Sequence, residues 1–446
     1  MKIPQMRWVV AALLFLATAI NYADRLALSV ISTDLRREFS MTETDYSQVV
    51  SVFLIAYAVM YAFSGYIVDR LGTRRGFSVF VFVWSCAAML HGFASGKWSL
   101  AGCRALLGLG EPGNWPAAAR AVAEWFPARL RALGIGIFNA GTMLGSAVAP
   151  PVVSFLTLNY GWRFSFYFTG ALGFLWLAAW LVLYQPPHLN RWLRPSEYAA
   201  MKDEVQTPAQ ATPATAERPS WWEVMKTREC YTLTLARFFT DPVIYFVIFW
   251  LPEYLRKERH FDLAMVGRYA SVPFIAGGAA YLVGGWLSGR LMRAGWRLPK
   301  ARKFVMLLGA AMMPVAILAP AVPTAALAIA AICFVTMGHA FWISNMQALP
   351  TDICRAGEIG TVIGISGMGG TVGGILANYG TAWVVQHFTY APIFAIAGLM
   401  HPLGVGIVCW FLPSRRFGER IGVDYQSRSA ASPDRGTGAA GSGAVR

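Results

Sequence analysis

Apolar residues in this chain come in long unbroken runs, neither alternating as on a half-buried strand nor confined to one stripe as on a soluble helix. A helix needs about 20 such residues to cross a hydrocarbon core. Runs of that kind cover positions 8–29, 46–68, 77–96, 98–122, 132–158, 163–184, 231–255, 265–291, 302–321, 324–348, 358–386 and 390–412. They predict an all-α membrane protein with twelve transmembrane helices, and their continuity argues against a β-barrel, whose strands alternate. One gap is long. Residues 185–228 separate the sixth run from the seventh and include a Thr-, Pro- and Ala-rich stretch over 207–215 without apolar periodicity. The expected organisation is a six-helix half over 1–184, a cytoplasmic linker over 185–228, a second six-helix half over 229–414, and a disordered tail over 415–446 rich in Gly, Ala and Ser. Any helix near Pro195 to Val205 is expected outside the membrane.

The two halves echo each other. After the second run stands Gly65-Tyr-Ile-Val-Asp69-Arg70-Leu-Gly72-Thr-Arg74-Arg75-Gly76; after the eighth stands Gly285-Trp-Leu-Ser-Gly289-Arg290, followed by further basic residues. The fifth and eleventh runs are both glycine-rich. Six plus six with matching landmarks implies two pseudo-symmetric halves, an arrangement that places a central site at their interface and moves it by rocking one half against the other.

Composition agrees: 56% hydrophobic and 14% charged residues leave too little polar surface for a soluble protein of 446 residues. Charge sets orientation. With both termini inside, 27 of the 38 Lys and Arg fall on cytoplasmic segments and 8 on outside loops; Arg25, Arg104 and Arg237 lie within spans. That asymmetry follows the positive-inside rule. The net charge of +15 therefore reflects topology and contact with anionic lipid, and calls for no nucleic-acid partner. The first run superficially resembles a cleavable signal at Ala17-Thr18-Ala19, but cleavage would leave an odd number of helices. The six Cys form no C-x-x-C and read as packing residues.

Charged residues inside apolar runs carry the candidate chemistry, since burying them in lipid is costly. Arg104 and Glu111 fall on one stripe of the fourth run with Gly108 between them, and Asp24 and Arg25 sit in the first. An ionised Glu111 is expected to neutralise Arg104, and a protonated one to release it toward an anion; a purely structural ion pair is the alternative. Asp24 offers a second proton site. Arg25 is the first candidate to grip a carboxylate through two parallel hydrogen bonds, with Tyr22, Tyr57 and Tyr61 as donors, or as ordinary packing aromatics. In the second half, His339, Trp342, Asn345 and Gln347 suit hydroxyl binding, with the indole face against a sugar. Arg237 and Asp241 are expected to close the cavity from that half, or to snorkel near the surface. Gly65, Asp69, Arg70 and Arg74 read as a cytoplasmic gate latch, Arg75 beside them, with topology alone as the alternative.

These residues carry a family resemblance. Gly65-x-x-x-Asp69-Arg70-x-Gly72-x-Arg74-Arg75 and Arg104-x-x-x-Gly108-x-Gly110-Glu111 resemble the loop and fourth-helix motifs of the major facilitator superfamily. More narrowly, Asn21-Tyr22-Ala23-Asp24-Arg25, Gly110-Glu111-Pro112-Gly113-Asn114-Trp115 and Ala123-Glu124-Trp125-Phe126-Pro127 resemble the anion:cation symporter family. His339-Ala-Phe-Trp342-Ile-Ser-Asn345 and Gly364-Ile-Ser-Gly367-Met-Gly369-Gly370 are most similar to hexuronate transporters. The resemblance implies proton-coupled import of a sugar acid such as glucuronate or galacturonate across a bacterial inner membrane, with Asp24 and Glu111 as proton carriers and Arg25 and Arg104 facing the anion. Galactonate, glucarate or another hydroxy acid, and an exchanger or exporter on the same fold, stay open. Pro112 departs from the family pattern and is expected to kink the helix at Glu111.

No Walker loop, G-x-S-x-G or H-E-x-x-H occurs, so neither an enzyme nor a cofactor is expected. Gly108-x-Gly110-x-x-Gly113 matches a dinucleotide fingerprint but follows no strand. The partners expected are a small sugar acid, protons and lipid, with the monomer as working unit.

Overall fold

In lipid every backbone N–H and C=O must be satisfied within the chain, which makes continuous apolar runs helical. The computed structural model describes residues 5–205, 219–262, 265 and 269–417. Its first six spans are Met6–Val30, Glu43–Leu71, Thr73–His91, the broken helix Lys97–Gly110 and Asn114–Trp125, Ala128–Tyr160 and Trp162–Leu183. The second six are Arg228–Lys257, Val272–Arg293, Leu298–Met312 continued by the 3-10 turn Met313–Leu318, Ala325–Met346, Ile359–His387 and Ala391–Phe411. Ten of these are long and apolar enough to cross a membrane on composition alone. The other two are the third, whose first turn carries Arg74 and Arg75, and the fourth, interrupted by the 3-10 turn Glu111–Gly113 where Pro112 was expected to bend it.

Helix ends follow local chemistry. Thr42 caps the second span by accepting the Asp45 amide at 3.1 Å while the Asp45 carboxylate accepts the Thr42 amide at 2.9 Å. Gly72, at φ +80°, turns the chain between the second and third spans in a conformation disfavoured for other residues. Within 185–228 the structure holds the helix Pro195–Val205 and the short Trp221–Met225. Residues 206–218, with the low-complexity stretch, and the tail from 418 lie outside the described residues.

The same packing recurs in both halves. The first span lies against the fifth as the seventh does against the eleventh; the second pairs with the fourth as the eighth does with the tenth; the third pairs with the sixth as the ninth does with the twelfth. Large apolar side chains such as Leu175, Leu376 and Trp410 point outward, as a lipid-facing surface requires.

Between the halves, glycines bring two helix pairs into backbone contact near the face that holds the ends of the described chain, the terminal face. A Cβ on Gly65 would lie 1.8 Å from the Gly360 carbonyl oxygen, joining the second span to the eleventh. Cβ atoms on Gly136, Gly285 and Gly289 would meet the carbonyls of Tyr281, Ala132 and Arg129 at 2.2, 2.3 and 2.4 Å, joining the fifth to the eighth.

Two polar clusters fasten this face. Buried Asp69 accepts from Arg120 Nη1 (2.7 Å), from the Gly360 and Thr361 amides (3.1 and 2.7 Å) and from the Thr361 hydroxyl (2.8 Å). Those amides belong to the first turn of the eleventh span and lack partners within the helix. In mirrored fashion, Asp352 takes Arg302 Nε at 2.9 Å and Arg131 Nη1 at 3.1 Å, and Arg302 also reaches Ser288 Oγ and the Ala128 carbonyl. Arg131, Arg302 and Asp352 are all buried.

Candidate functional site

Toward the opposite face the halves part around a cavity of about 430 Å³. From the first half, Tyr22, Arg25, Tyr57, Tyr61, Arg104 and Asn139 line it; from the second, Arg237, Asp241, Tyr245, Tyr281, His339 and Gln347 do. It extends to Ser29, Val50 and Phe249 nearer the opposite face.

Arg25 is the central group. Its Nε donates to Glu111 Oε2 at 2.8 Å and its Nη2 lies 2.7 Å from the same oxygen. The guanidinium sits over the rings of Tyr57 (4.7 Å) and Tyr22 (4.9 Å), each close enough for cation–π attraction. Trp115 fixes Tyr57 from behind, donating its Nε1 to the phenol oxygen at 2.9 Å. Glu111 is fully buried, and its Oε1 has no hydrogen-bond partner among the described residues.

The expected pairing of Glu111 with Arg104 is not what forms. Two helical turns separate the two by roughly 10 Å along the axis, and the 3-10 turn at Glu111 aims the carboxylate at the first span instead. Arg104 donates to the Arg25 carbonyl at 3.3 Å, and its Nε has no partner among the described residues. Both guanidiniums flank Phe53, at 5.5 and 5.6 Å from the ring centre. Asp24, next in sequence to Arg25, points the other way. It is buried behind the cavity wall near Thr169 of the sixth span, and neither carboxylate oxygen forms a hydrogen bond within 3.5 Å among the described residues.

Three further expectations need correction. Trp342 is buried outside the cavity, where its indole donates to Thr240 at 3.1 Å and packs against His401, so its face is closed to a sugar. Asn345 donates to the Gly284 and Phe341 carbonyls, at 3.3 and 3.1 Å, and ties the tenth span to the eighth. Arg237 and Asp241 do not snorkel; they are buried and line the cavity wall, beside Tyr61 of the second span. Arg237 Nε reaches Asp241 Oδ2 at 2.9 Å, and its guanidinium lies 6.0 Å from the Tyr61 ring centre.

His339 lines the cavity, and its Nδ1 lies 3.1 Å from His401 Nε2 in the twelfth span, a partner the sequence did not reveal. A histidine alone in an apolar span was the available signal. Asn139 donates to Gln347 Oε1 at 2.9 Å across the cavity base. Among the described residues no group of three or more His, Cys, Asp or Glu is arranged to hold a metal. Gly65 and Asp69 lie at the fastened face, Arg70 is exposed and donates to the Tyr66 hydroxyl at 2.6 Å, and Arg74 donates to the Leu181 carbonyl within the first half.

A duplicated bundle with paired cations and acids around a central cavity defines a multi-pass membrane carrier. The profile of the Major Facilitator Superfamily matches residues 14–378, and the chain belongs to that superfamily. It is similar to the hexuronate transporter of Escherichia coli K12, 28% identical over 410 residues that cover 92% of this chain and 94% of that one. It is 28% identical over 393 residues to the D-galactonate transporter of Escherichia coli O6:H1, covering 86% and 91%. Among solved structures, the proton:xylose symporter XylE has the same fold, with a TM-score of 0.71 at 16% identity over 91% of this chain and 96% of that one.

Proposed function

We propose that the protein is a proton-coupled secondary transporter that imports a sugar acid anion, a hexuronate such as glucuronate or galacturonate, by alternating access across the bacterial inner membrane. The observation that carries this reading is Arg25: a guanidinium on the cavity wall, held by a fully buried acid, Glu111, one of whose oxygens is unpartnered among the described residues. A substrate carboxylate competes with Glu111 for Arg25. Protonating Glu111 removes the competitor, so anion and proton enter together. Tyr22, Tyr57, Tyr61 and His339 supply polar contacts for hydroxyls, Arg104 adds positive potential, and Asp24 is the second proton carrier behind the wall. The similarity to hexuronate and galactonate transporters supports the substrate class, and the second of these keeps galactonate as the alternative.

The charge asymmetry of the loops supports cytoplasmic termini. In that orientation the cavity opens outward, and Gly65, Asp69, Arg70 and Arg74 belong to the inner gate. Uptake of labelled sugar acids into proteoliposomes, with and without an inward proton gradient, tests the proposal. Concentrative uptake of a hexuronate only under the gradient is expected. Uptake that ignores the gradient but requires an internal counter-anion would establish an exchanger instead.

A further inference from the structure

The tenth and twelfth spans meet through two histidines, and the reading above uses only one of them. His339 lines the cavity and His401 is buried behind it. His339 Nδ1 and His401 Nε2 are 3.1 Å apart, and the ring centres are 5.3 Å apart. The second distance exceeds the first by about the radii of the two rings, so both nitrogens lie on the line between the centres and an N–H on one points at the lone pair of the other. One proton sits between the rings, and the ring that supplies it decides what the cavity meets. If His339 supplied it, a neutral His401 would carry its own N–H at Nδ1, an atom that is sealed from solvent and has no hydrogen-bond partner among the described residues. If His401 supplies it, only a lone pair is left at that atom. Buried N–H groups without partners are rarer than under-satisfied acceptors, which favours His401 as the donor.

A second proton on the pair would add a charge and a further buried N–H. The other titratable groups of the second half that line the cavity are Arg237, Asp241, Tyr245 and Tyr281. The one acid among them already holds Arg237, so nothing is left to balance an imidazolium. Trp342 packs edge-on against His401 at 5.7 Å between ring centres and fixes it from the side away from the cavity. Gln347 is oriented by the same logic. Asn139 Nδ2 donates at 2.8 Å to the Ile135 carbonyl, which can only accept, so the amide of Asn139 has one orientation and the atom it meets at 2.9 Å is Gln347 Oε1. Gln347 is left with its amide N–H groups. Both polar groups that the tenth span and its end bring to the cavity are therefore set as donors by a residue behind or beside them.

We propose that His401 is a positioning residue for the substrate: its Nε2–H donates to His339 Nδ1 and holds His339 as a neutral Nε2–H donor, which binds an oxygen of the sugar acid that acts as acceptor. This rests on the reading of the cavity as a sugar-acid site. With Nδ1 taken by His401, Nε2 is the ring nitrogen left to meet what the cavity holds. His339 then contributes a hydrogen bond and carries no proton across the membrane. The twelfth span, which gives the cavity no side chain of its own, takes part in recognition through this one bond.

The test uses the full-length protein in proteoliposomes, with isotope-labelled histidine and with D-glucuronate as the probe. Solid-state nitrogen NMR tells a protonated ring nitrogen from a bare one, and the spectra of His339→Gln and His401→Gln assign the two rings among the six histidines. At neutral pH wild type is expected to show both rings uncharged and protonated at Nε2. His401→Phe keeps a ring and loses the donor, and should raise the Kd for D-glucuronate about three- to tenfold, while His401→Gln, whose amide can donate in place of Nε2–H, stays within about twofold of wild type. A residue that only filled space would give the reverse order, because Phe is the closer match in shape. Protons moved per D-glucuronate should be the same in His401→Gln as in wild type. Wild-type His339 protonated at Nδ1 or at both nitrogens, the reverse order of Kd values, or a lower proton count in His401→Gln each overturns the proposal. Wild type that shows the expected spectrum but binds no D-glucuronate overturns the sugar-acid reading and the ligand contact built on it, and leaves the bond between the histidines standing.

Discussion

Gly65→Ala puts the contact between the halves to a direct test. The added carbon would lie 1.8 Å from the Gly360 carbonyl oxygen, 2.2 Å from the carbonyl carbon and 2.8 Å from the Thr361 nitrogen. These are backbone atoms and cannot rotate aside. A carbon–oxygen contact relaxes near 3.3 Å, so the second and eleventh spans must part by about 1.5 Å at this level. One turn away, Asp69 bonds the Gly360 and Thr361 amides at 3.1 and 2.7 Å. Adding the same displacement takes both beyond hydrogen-bond range. Each bond to a charged acceptor contributes about 1.5 kcal/mol or more, so the closed terminal face loses about 3 kcal/mol, roughly a 150-fold shift in its population. Spin labels at Leu71 and Arg355, exposed on that face in opposite halves, would report the shift as a longer distance distribution by pulsed electron resonance. Gly102→Ala is the control, because a Cβ there meets nothing within 4 Å. An unchanged distribution in Gly65→Ala, with normal turnover, would refute the claim that this contact governs closure.

Three more expectations follow from the same geometry. Glu111→Gln should abolish proton-driven accumulation while substrate exchange persists; concentrative uptake at the wild-type level by this variant removes Glu111 from coupling. Arg25→Lys should weaken substrate affinity about tenfold, because an ammonium cannot reproduce the fork, and an unaltered dissociation constant from equilibrium binding contradicts that role. Asp352→Asn strands the guanidiniums of Arg131 and Arg302 in a buried setting, a cost of about 3–5 kcal/mol; a melting temperature and label distances identical to wild type would show that the cluster carries no load.

The helices, the duplication and the cation-bearing wall were legible because each rests on one-dimensional information: run length, repeated landmarks, and charges that lipid does not tolerate unaided. Arg25, Tyr22, Tyr57 and Tyr61 all line the cavity. Pairing was less legible. Glu111 sits on the expected stripe of the fourth span, yet its partner comes from the first, since an interrupted helix redirects a side chain in a way that periodicity does not encode. The tenth span is buried all round, from Gly338 through Met346, so no polar face marks which side meets the cavity. His339 reaches it, while Trp342 and Asn345 serve the eighth, seventh and twelfth spans. Arg131, Arg302 and Asp352 stand at the ends of runs, where a charge normally reports orientation, and only the fold shows them sealed from solvent.

The seam formed by Gly136, Gly285 and Gly289 has a mechanical corollary. Backbone meets backbone at these three glycines, so one bundle can roll along the other with little to unmesh at those points. Resistance to motion then concentrates in a few discrete ties at the rim, which makes the carrier's tempo adjustable one polar residue at a time while the bearing surface itself is left alone.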